Sequence, residues 1–433
     1  MKRLRLILLL VAAMVVSAGC LGRRTDVSWA DIEPLDTSQQ ELFVSYKTDL
    51  YVINPVTGNL SDGDTRESTW QIEGDEFGAE FYTSPLFLGD VNGERLMLVA
   101  DYNKRMWLIN YDRACFSNQV GSCLSAPPET PPIELPGHTF ADFAQDDERI
   151  YIPLSEHNVV ALEKGIFASG WDEDNQEEYD RRDRETFTVA WEFETERGVW
   201  AQPLIVDDIV YIPTMDHRLF AVDVETGTEL WHVQLDGALA STPTLYNDRL
   251  YVGTFGRTLY EIPLNGEPTE DDLVEYDVEG WVWNSPVILN DILYLADLGG
   301  YVHAIDISEG LANAANSPLT WSTDAKGGGI RAEPLVLDAP TVAEGEQADF
   351  PAEYEDGLVI VATRDGRIIW LNRGTGDVID TQEVGEEILA DLIYIPESEE
   401  NEALVIVSTV KDKRALVAFF INTRQQIWTY PSS

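Results

Sequence analysis

Short apolar runs alternate with polar turns along most of this chain, and they do so in a fixed phase. The clearest stretch, QPLIVDDIVYIPTMDHRLFAVDVETGTELWHVQLDGALA from Gln202 to Ala240, holds four such runs. PLIV ends at Asp207-Asp208, IVYIP at Asp216-His217-Arg218, RLFAVDV at Glu225-Thr226-Gly227 and ELWHVQL at Asp236-Gly237. Runs this short, rich in β-branched and aromatic residues and bounded by Asp and Gly, predict strands. Links of hairpin length predict that four of them form one antiparallel sheet, strands A to D. The pattern recurs from Thr242 and Ser285, and more faintly from Ser84-Pro85, Asp142-Phe143, Glu333-Pro334 and Asp391-Leu392. An N-terminal copy runs from Glu41, with its strand A expected near Trp29–Leu35. Trp191 and Trp231 each precede the next repeat proline (Pro203, Pro243) by 12 residues, and Trp321 precedes Pro334 by 13. Self-similarity at a period of about 40–60 residues marks a repeat array. Each sheet has two faces to bury and only its neighbours to bury them against, so the ring closes. The expectation is an all-β, eight-bladed β-propeller of four-stranded antiparallel blades over residues 29–433. Seven blades is the alternative, because the end copies are the poorest.

Trp70, Trp191, Trp231, Trp321 and Trp428 all fall on the expected strand D. They read as wedges between blades, not as binding residues. Length alone would suggest two or three domains for 433 residues; a single propeller absorbs that length.

The first residues, MKRLRLILLLVAAMVVSAGC, follow another pattern. Lys2, Arg3 and Arg5 form a basic start, and Leu6–Val16 is an apolar run too short to span a bilayer. Ser17-Ala18-Gly19-Cys20 resembles a lipoprotein lipobox, with Ser17 departing from the usual Leu. Residues 1–19 are then expected to be a signal peptide, Cys20 the lipidated residue and 20–28 a tether. This places the chain outside the cytoplasm, anchored to a membrane of the cell envelope by lipid alone. In that setting Cys115 and Cys123, eight residues apart in one loop, are expected to form a disulfide. The formal net charge is −48, which argues against nucleic acid as a partner. Removing the leader takes away three positive residues and no acids, so the mature chain is more acidic still.

Propeller topology places A→B and C→D loops on one face and B→C and D→A loops on the other. The first face receives Asp207-Asp208, Asn247-Asp248, Asn290-Asp291 and the insertions Trp171–Asp180, Asn265–Asp272 and Ala339–Asp356, so it should be strongly acidic. The second receives Lys104-Arg105, Arg218, Arg257, Arg367 and Lys413-Arg414 in its B→C turns. If this asymmetry persists in the fold, Arg105, Arg218, Arg257 and Arg367 form a rim that steers an acidic partner. D→A loops end at the innermost strand. Their residues three before the repeat proline or its substitute are Tyr82, Phe140, Trp200, Trp283, Arg331 and Leu389. Of these, Tyr82, Phe140, Trp200, Trp283 and Arg331 are candidate binding residues at the channel mouth, since aromatics give large contact area at low entropic cost. The competing expectation is that they pack on each other and plug the channel.

AVDVETGTELW (Ala221–Trp231) resembles the tryptophan-docking motif of the PQQ-like β-propeller repeat, with Ala, Asp, Thr-Gly and Trp in register. VINPVTG (Val52–Gly58) and WLNRGTG (Trp370–Gly376) are looser versions. The family holds quinoprotein dehydrogenases, which bind PQQ and calcium on the propeller axis. It also holds the BamB-type lipoprotein of outer-membrane protein assembly. The vicinal Cys-Cys of the dehydrogenases is absent here, and their calcium ligands and catalytic Asp cannot be placed on any motif. The acidic clusters lack the spacing of a calcium loop. Of the five histidines, His157 and His217 sit in B→C turns, and His232 and His303 sit in strands and read as structural. The sequence therefore implies no enzyme, no metal and no cofactor, with PQQ and calcium as the enzymatic alternative. The expected role is that of a monomeric scaffold binding an envelope protein partner. A carbohydrate-binding or sensor module is a further alternative.

Overall fold

The computed structural model describes residues 31–36, 41–61, 71–73, 77–81, 83–91, 94–117, 123, 133–164, 188–308, 310, 320–339, 351–398, 401–410 and 415–431. Its strands form eight antiparallel sheets, which we number as blades 1 to 8: residues 31–73, 86–134, 144–194, 204–234, 244–277, 287–324, 335–383 and 393–430. Eight blades, not seven, close the ring, and strand A of blade 1 is Asp31–Asp36, where the sequence placed it. In blade 2 the outermost strand is split. Cys115–Ser117 and Ile133–Glu134 pair with successive parts of Arg105–Asn110. Cys115 therefore begins a strand instead of lying in a loop, and it is disulfide-bonded to Cys123 with Cα atoms 5.7 Å apart. Signal peptide, Cys20, tether, Tyr82, Trp70 and the Trp171–Asp180 insertion lie outside the described residues. Among the described residues no helix is long and apolar enough to cross a membrane.

Burial explains the composition of each strand. Strands B and C lie between neighbouring sheets and are apolar on both faces: Ile209–Pro213 and Arg218–Asp223 are buried at all but their ends. Strand D has one face in solvent and alternates, as in Thr188–Glu194, where Trp191 and Phe193 point inward. Strand A is only three residues in most blades and lines the axis. Among the described residues the apolar side chains fall into eight clusters, one for each blade-to-blade interface. The cluster joining Leu42, Val44 and Ile53 of blade 1 to Leu404, Ile406 and Leu416 of blade 8 closes the ring.

Tryptophans of strand D stitch blades together. Trp191 Nε1 donates to Val224 O of the next blade at 3.0 Å, Trp321 to Arg373 O at 2.8 Å, and Trp428 to Pro55 O at 2.9 Å. The receiving turn explains the motif. Asp223 Oδ1 accepts from Thr226 N and Thr226 Oγ1, and Gly227 follows at φ +67°, as Gly58 (+69°) and Gly376 (+74°) do in their copies. A Cβ on Gly227 would lie 2.6 Å from the Trp191 ring. The glycine thus supplies a left-handed backbone and leaves room for the indole at once. Asn247-Asp248 and Asn290-Asp291 have positive φ at both positions, so these A→B turns need Asn and Asp for their conformation as well as their charge. The insertion ending at Asp356 differs from the solvated acidic loop expected. Its residues Ala352–Tyr354 form a 3-10 turn, and Tyr354 is buried between blades 7 and 8 with its hydroxyl donating to Ile421 O at 2.9 Å.

Candidate functional site

The D→A loops converge on the axis, as the repeat requires, and enclose a cavity of about 490 Å³. Phe140, Trp200, Trp283, Arg331 and Leu389 all line it. Among the described residues this confirms the placement read from loop phase. The Arg331 guanidinium lies 4.5 Å from the Trp283 ring centre, a cation–π contact. Trp200 and Trp283 are 6.4 Å apart at 45°. Two aromatics that sequence reasoning missed extend this group. Phe255, in the B→C turn of blade 5, stacks on Trp281 at 5.3 Å and lies 5.2 Å from Trp283. Trp281 is 52% exposed. The signal was available, since Trp281 and Trp283 share one D→A loop and B→C turns meet that loop on the same face. On the opposite side Phe140 stacks on His138, with Tyr102 5.2 Å from that imidazole.

One turn deeper, the residue preceding the repeat proline or its substitute also points to the cavity. Blades 2, 4, 5 and 6 supply Ser84, Gln202, Thr242 and Ser285, whereas blades 3, 7 and 8 supply Asp142, Glu333 and Asp391. Ser84 N donates to Asp142 Oδ1 at 3.1 Å, and Glu333 N to Asp391 Oδ1 at 2.5 Å. Asp142 and Asp391 are exposed to the cavity, and the walls of the channel surround that cavity. Desolvation therefore dominates and pushes the Asp142 carboxyl up to about 6, with the charge of Asp391 adding to it. The same burial, with the same neighbour, pushes Glu333 up to about 8. Asp391 is raised too, by burial set against the Glu333 N–H and Arg331. The channel wall is thus acidic on one side, where its carboxyls hold protons well above the usual range and titrate as a group.

The rim differs from its expectation. Arg105 bonds Asp101 (Nε to Oδ2, 2.7 Å) and Gly78 O (2.7 Å). Arg218 pairs with Asp216 at 2.5 Å and Glu196 at 3.0 Å, and Arg367 with Asp365 at 2.8 Å and Lys326 O at 2.6 Å. Each ties its own B→C turn to the preceding D→A loop. Asp365 shows the consequence: burial opposes its ionisation, but hydrogen bonds from Arg367 and Thr363 lower its pKa to about 2. Arg257 is exposed, and its guanidinium makes no hydrogen bond or ion pair with a described residue. Three of the four rim arginines are therefore neutralised at their turns and act as inter-blade ties. Turn composition could not show this, because the carboxylates come partly from other loops.

A PQQ-like repeat family model, described as outer membrane protein assembly factor BamB, matches residues 178–312. No curated protein sequence matches the chain. Two solved structures are similar over 92% of it. BamB from Moraxella catarrhalis is 14% identical, with 96% of that chain covered and a TM-score of 0.57. The computationally designed Ika8 protein is 13% identical, with 98% covered and a TM-score of 0.56.

Proposed function

Taking the chain as a PQQ-like β-propeller, we propose that it is a lipid-anchored, extracytoplasmic scaffold that binds an envelope protein partner, in outer-membrane protein assembly. The observation that carries this reading is the aromatic mouth. Trp200 and Trp283 line the cavity with Arg331 across one ring, and Phe255 and the exposed Trp281 extend the aromatic group from Trp283. Trp and Arg are the residues in which binding energy concentrates at protein interfaces, and here they stand at the mouth of a recess whose deeper wall is polar and acidic. The cavity suits an inserted side chain or loop, and the surrounding turns, held by the arginine ties, supply a rigid seat. The likeness to BamB from Moraxella catarrhalis supports this reading at the level of the fold. The lipobox-like Ser17-Ala18-Gly19-Cys20 supports the anchor. In this reading the chain carries no catalytic centre and needs neither PQQ nor calcium.

The test is crosslinking of the full-length chain in cells, followed by purification and mass spectrometry. A discrete envelope protein is expected. Replacing Trp200 and Trp283 together by Ala should weaken its capture by about 30-fold or more, the loss typical of interface hot spots, with the thermal transition preserved. Undiminished capture by a folded double variant would remove the mouth as the binding site. A change in absorbance on titrating the chain with PQQ and calcium would favour the enzymatic alternative.

A further inference from the structure

One cluster of donor groups lies outside the channel and is not accounted for by the repeat. His303, in strand C of blade 6 (Tyr301–Asp306), holds the register position of Trp107 in blade 2 and Phe220 in blade 4. It is 2% exposed. Trp107 donates its indole N–H to Asp101, the first residue of its B→C turn, at 2.8 Å. Asp297 holds the same turn position in blade 6, since Asp297 N donates to Tyr301 O as Asp101 N does to Arg105 O. A hydrogen bond of the Trp107 kind would bring the His303 ring nitrogen just as close. Instead the His303 Nε2 contact to Asp297 Oδ2 is a long hydrogen bond of 3.4 Å, and Glu279 Oε2 stands 3.3 Å from the same nitrogen. Both exceed the usual length of about 2.7–2.9 Å for a charge-assisted bond. One donor atom from each of the three residues lies within 4.8 Å of the others. Four ligands placed tetrahedrally at about 2.0–2.2 Å from a zinc-like ion stand about 3.3–3.6 Å from each other. The separations from the imidazole match that edge.

The surroundings fix these donors. Asp297 is fully buried, and its carboxylate accepts from Gly280 N on Oδ2 (2.8 Å) and from Gly299 N and Tyr301 N on Oδ1 (2.8 and 3.0 Å). A carboxylate oriented by backbone donors retains lone pairs for a cation, and such outer contacts are what metal ligands require. A Cβ on Gly280 would lie 2.8 Å from Asp297 Oδ1, so glycine is needed to bring the D→A loop down onto the turn and Glu279 to the site. Glu279 is 51% exposed, which leaves a path from solvent and a fourth position for water. An imidazole nitrogen with two carboxylates selects a zinc-like ion over calcium or magnesium, which take oxygen ligands.

We propose that Glu279, Asp297 and His303 bind one divalent cation of the zinc class. The competing occupant is a proton, giving an imidazolium between two carboxylates. The full chain, treated with a chelator and then kept in excess magnesium to occupy its acidic surface loops, is titrated with Co²⁺ and then Zn²⁺. Binding is followed by visible absorption and calorimetry. One Co²⁺ per chain with tetrahedral absorption, displaced by Zn²⁺, is expected. Glu279→Gln should weaken binding by about 10–100-fold. His303→Phe should abolish the absorption, and it places in blade 6 the residue that blade 4 already carries at this position, so folding is checked directly by the thermal transition. Absence of saturable binding, or binding unchanged in a folded His303→Phe, would overturn the site. Binding unchanged in Glu279→Gln would overturn the three-ligand assignment.

Discussion

At the residue scale, one position of the repeat carries different chemistry in different blades, and the difference has a thermodynamic consequence. Glu333 sits where Gln202 sits in blade 4. Its carboxyl is raised from 4.5 to about 8 by burial and by Asp391. Below about pH 4.5 the folded and unfolded chains both hold the proton, so the stability linked to this group is fully present. As the pH rises, the unfolded chain ionises first and the folded state is penalised, until the group ionises in both states above about pH 8. Glu333→Gln should therefore leave the thermal midpoint unchanged near pH 4 and raise it by several degrees at pH 9. Calorimetry at the two pH values checks this, and a gap independent of pH would contradict it. The acids Asp142, Glu333 and Asp391 were visible in the sequence as the first residues of their copies. Their convergence in one cavity was not, because they are separated by 191 and 58 positions.

At the scale of the element, the C→D turn is the best-explained unit. Asp223, Thr226 and Gly227 form the receiving turn, and the indole of Trp191 arrives from the preceding blade. Gly227→Ala forces a side chain into φ +67° and into the Trp191 ring. The backbone term alone costs about 1–2 kcal/mol, and the steric contact adds to it, so denaturant unfolding should show a loss of at least that size. A loss below about 0.5 kcal/mol would mean that the indole does not rest on this turn. The motif was legible because the residues of the receiving turn are local. Its partner was not: nothing in the local sequence says that Trp191 docks on blade 4 and not on its own sheet. Blade 5 lacks Thr-Gly, and there Trp231 packs with Leu264 and Leu273 instead. The split outer strand of blade 2 and the buried Tyr354 were missed for a related reason. Long insertions read as solvated loops when their anchors lie in other blades.

At the scale of the molecule, ring closure rests on side chains. Strand A of blade 1 and strand D of blade 8 each stay in their own sheet, so no strand is shared between the two ends. The junction is held by the apolar cluster of blades 1 and 8, by Trp428 on Pro55 O, and by Tyr51 against Tyr430 at 5.9 Å. Trp428→Ala should cost about 3 kcal/mol, the lower end for a core tryptophan because Trp428 is only partly buried. The loss should appear in hydrogen exchange as faster opening of blades 1 and 8, with blades 4 to 6 little changed. Uniform acceleration around the ring would show that the eight interfaces open as one. Charge also behaves collectively. Arg105, Arg218 and Arg367 do not form a positive rim, because Asp101, Asp216, Glu196 and Asp365 meet them there, and Lys413-Arg414 lie outside the described residues. Under the proposed function, recognition at this face would fall to the aromatic mouth, with Arg257 as the exposed guanidinium.

The sequence alone determined the repeat, the assignment of loops to faces and the approach of Trp200, Trp283 and Arg331 to the axis, and left the structure to decide between seven and eight blades. Each of these follows from periodicity, which local hydrophobicity and turn chemistry write directly into the chain. The tertiary structure decided which groups meet across blades. It paired Arg218 with Glu196, joined Phe255 to Trp281 and Trp283, raised the pKa of Glu333 through burial and then the charge of Asp391, and turned His303 from a strand histidine into a neighbour of Glu279 and Asp297. These contacts depend on the angle and spacing at which one sheet packs on the next. That geometry is set by the volumes of whole buried clusters and not by any local run of residues.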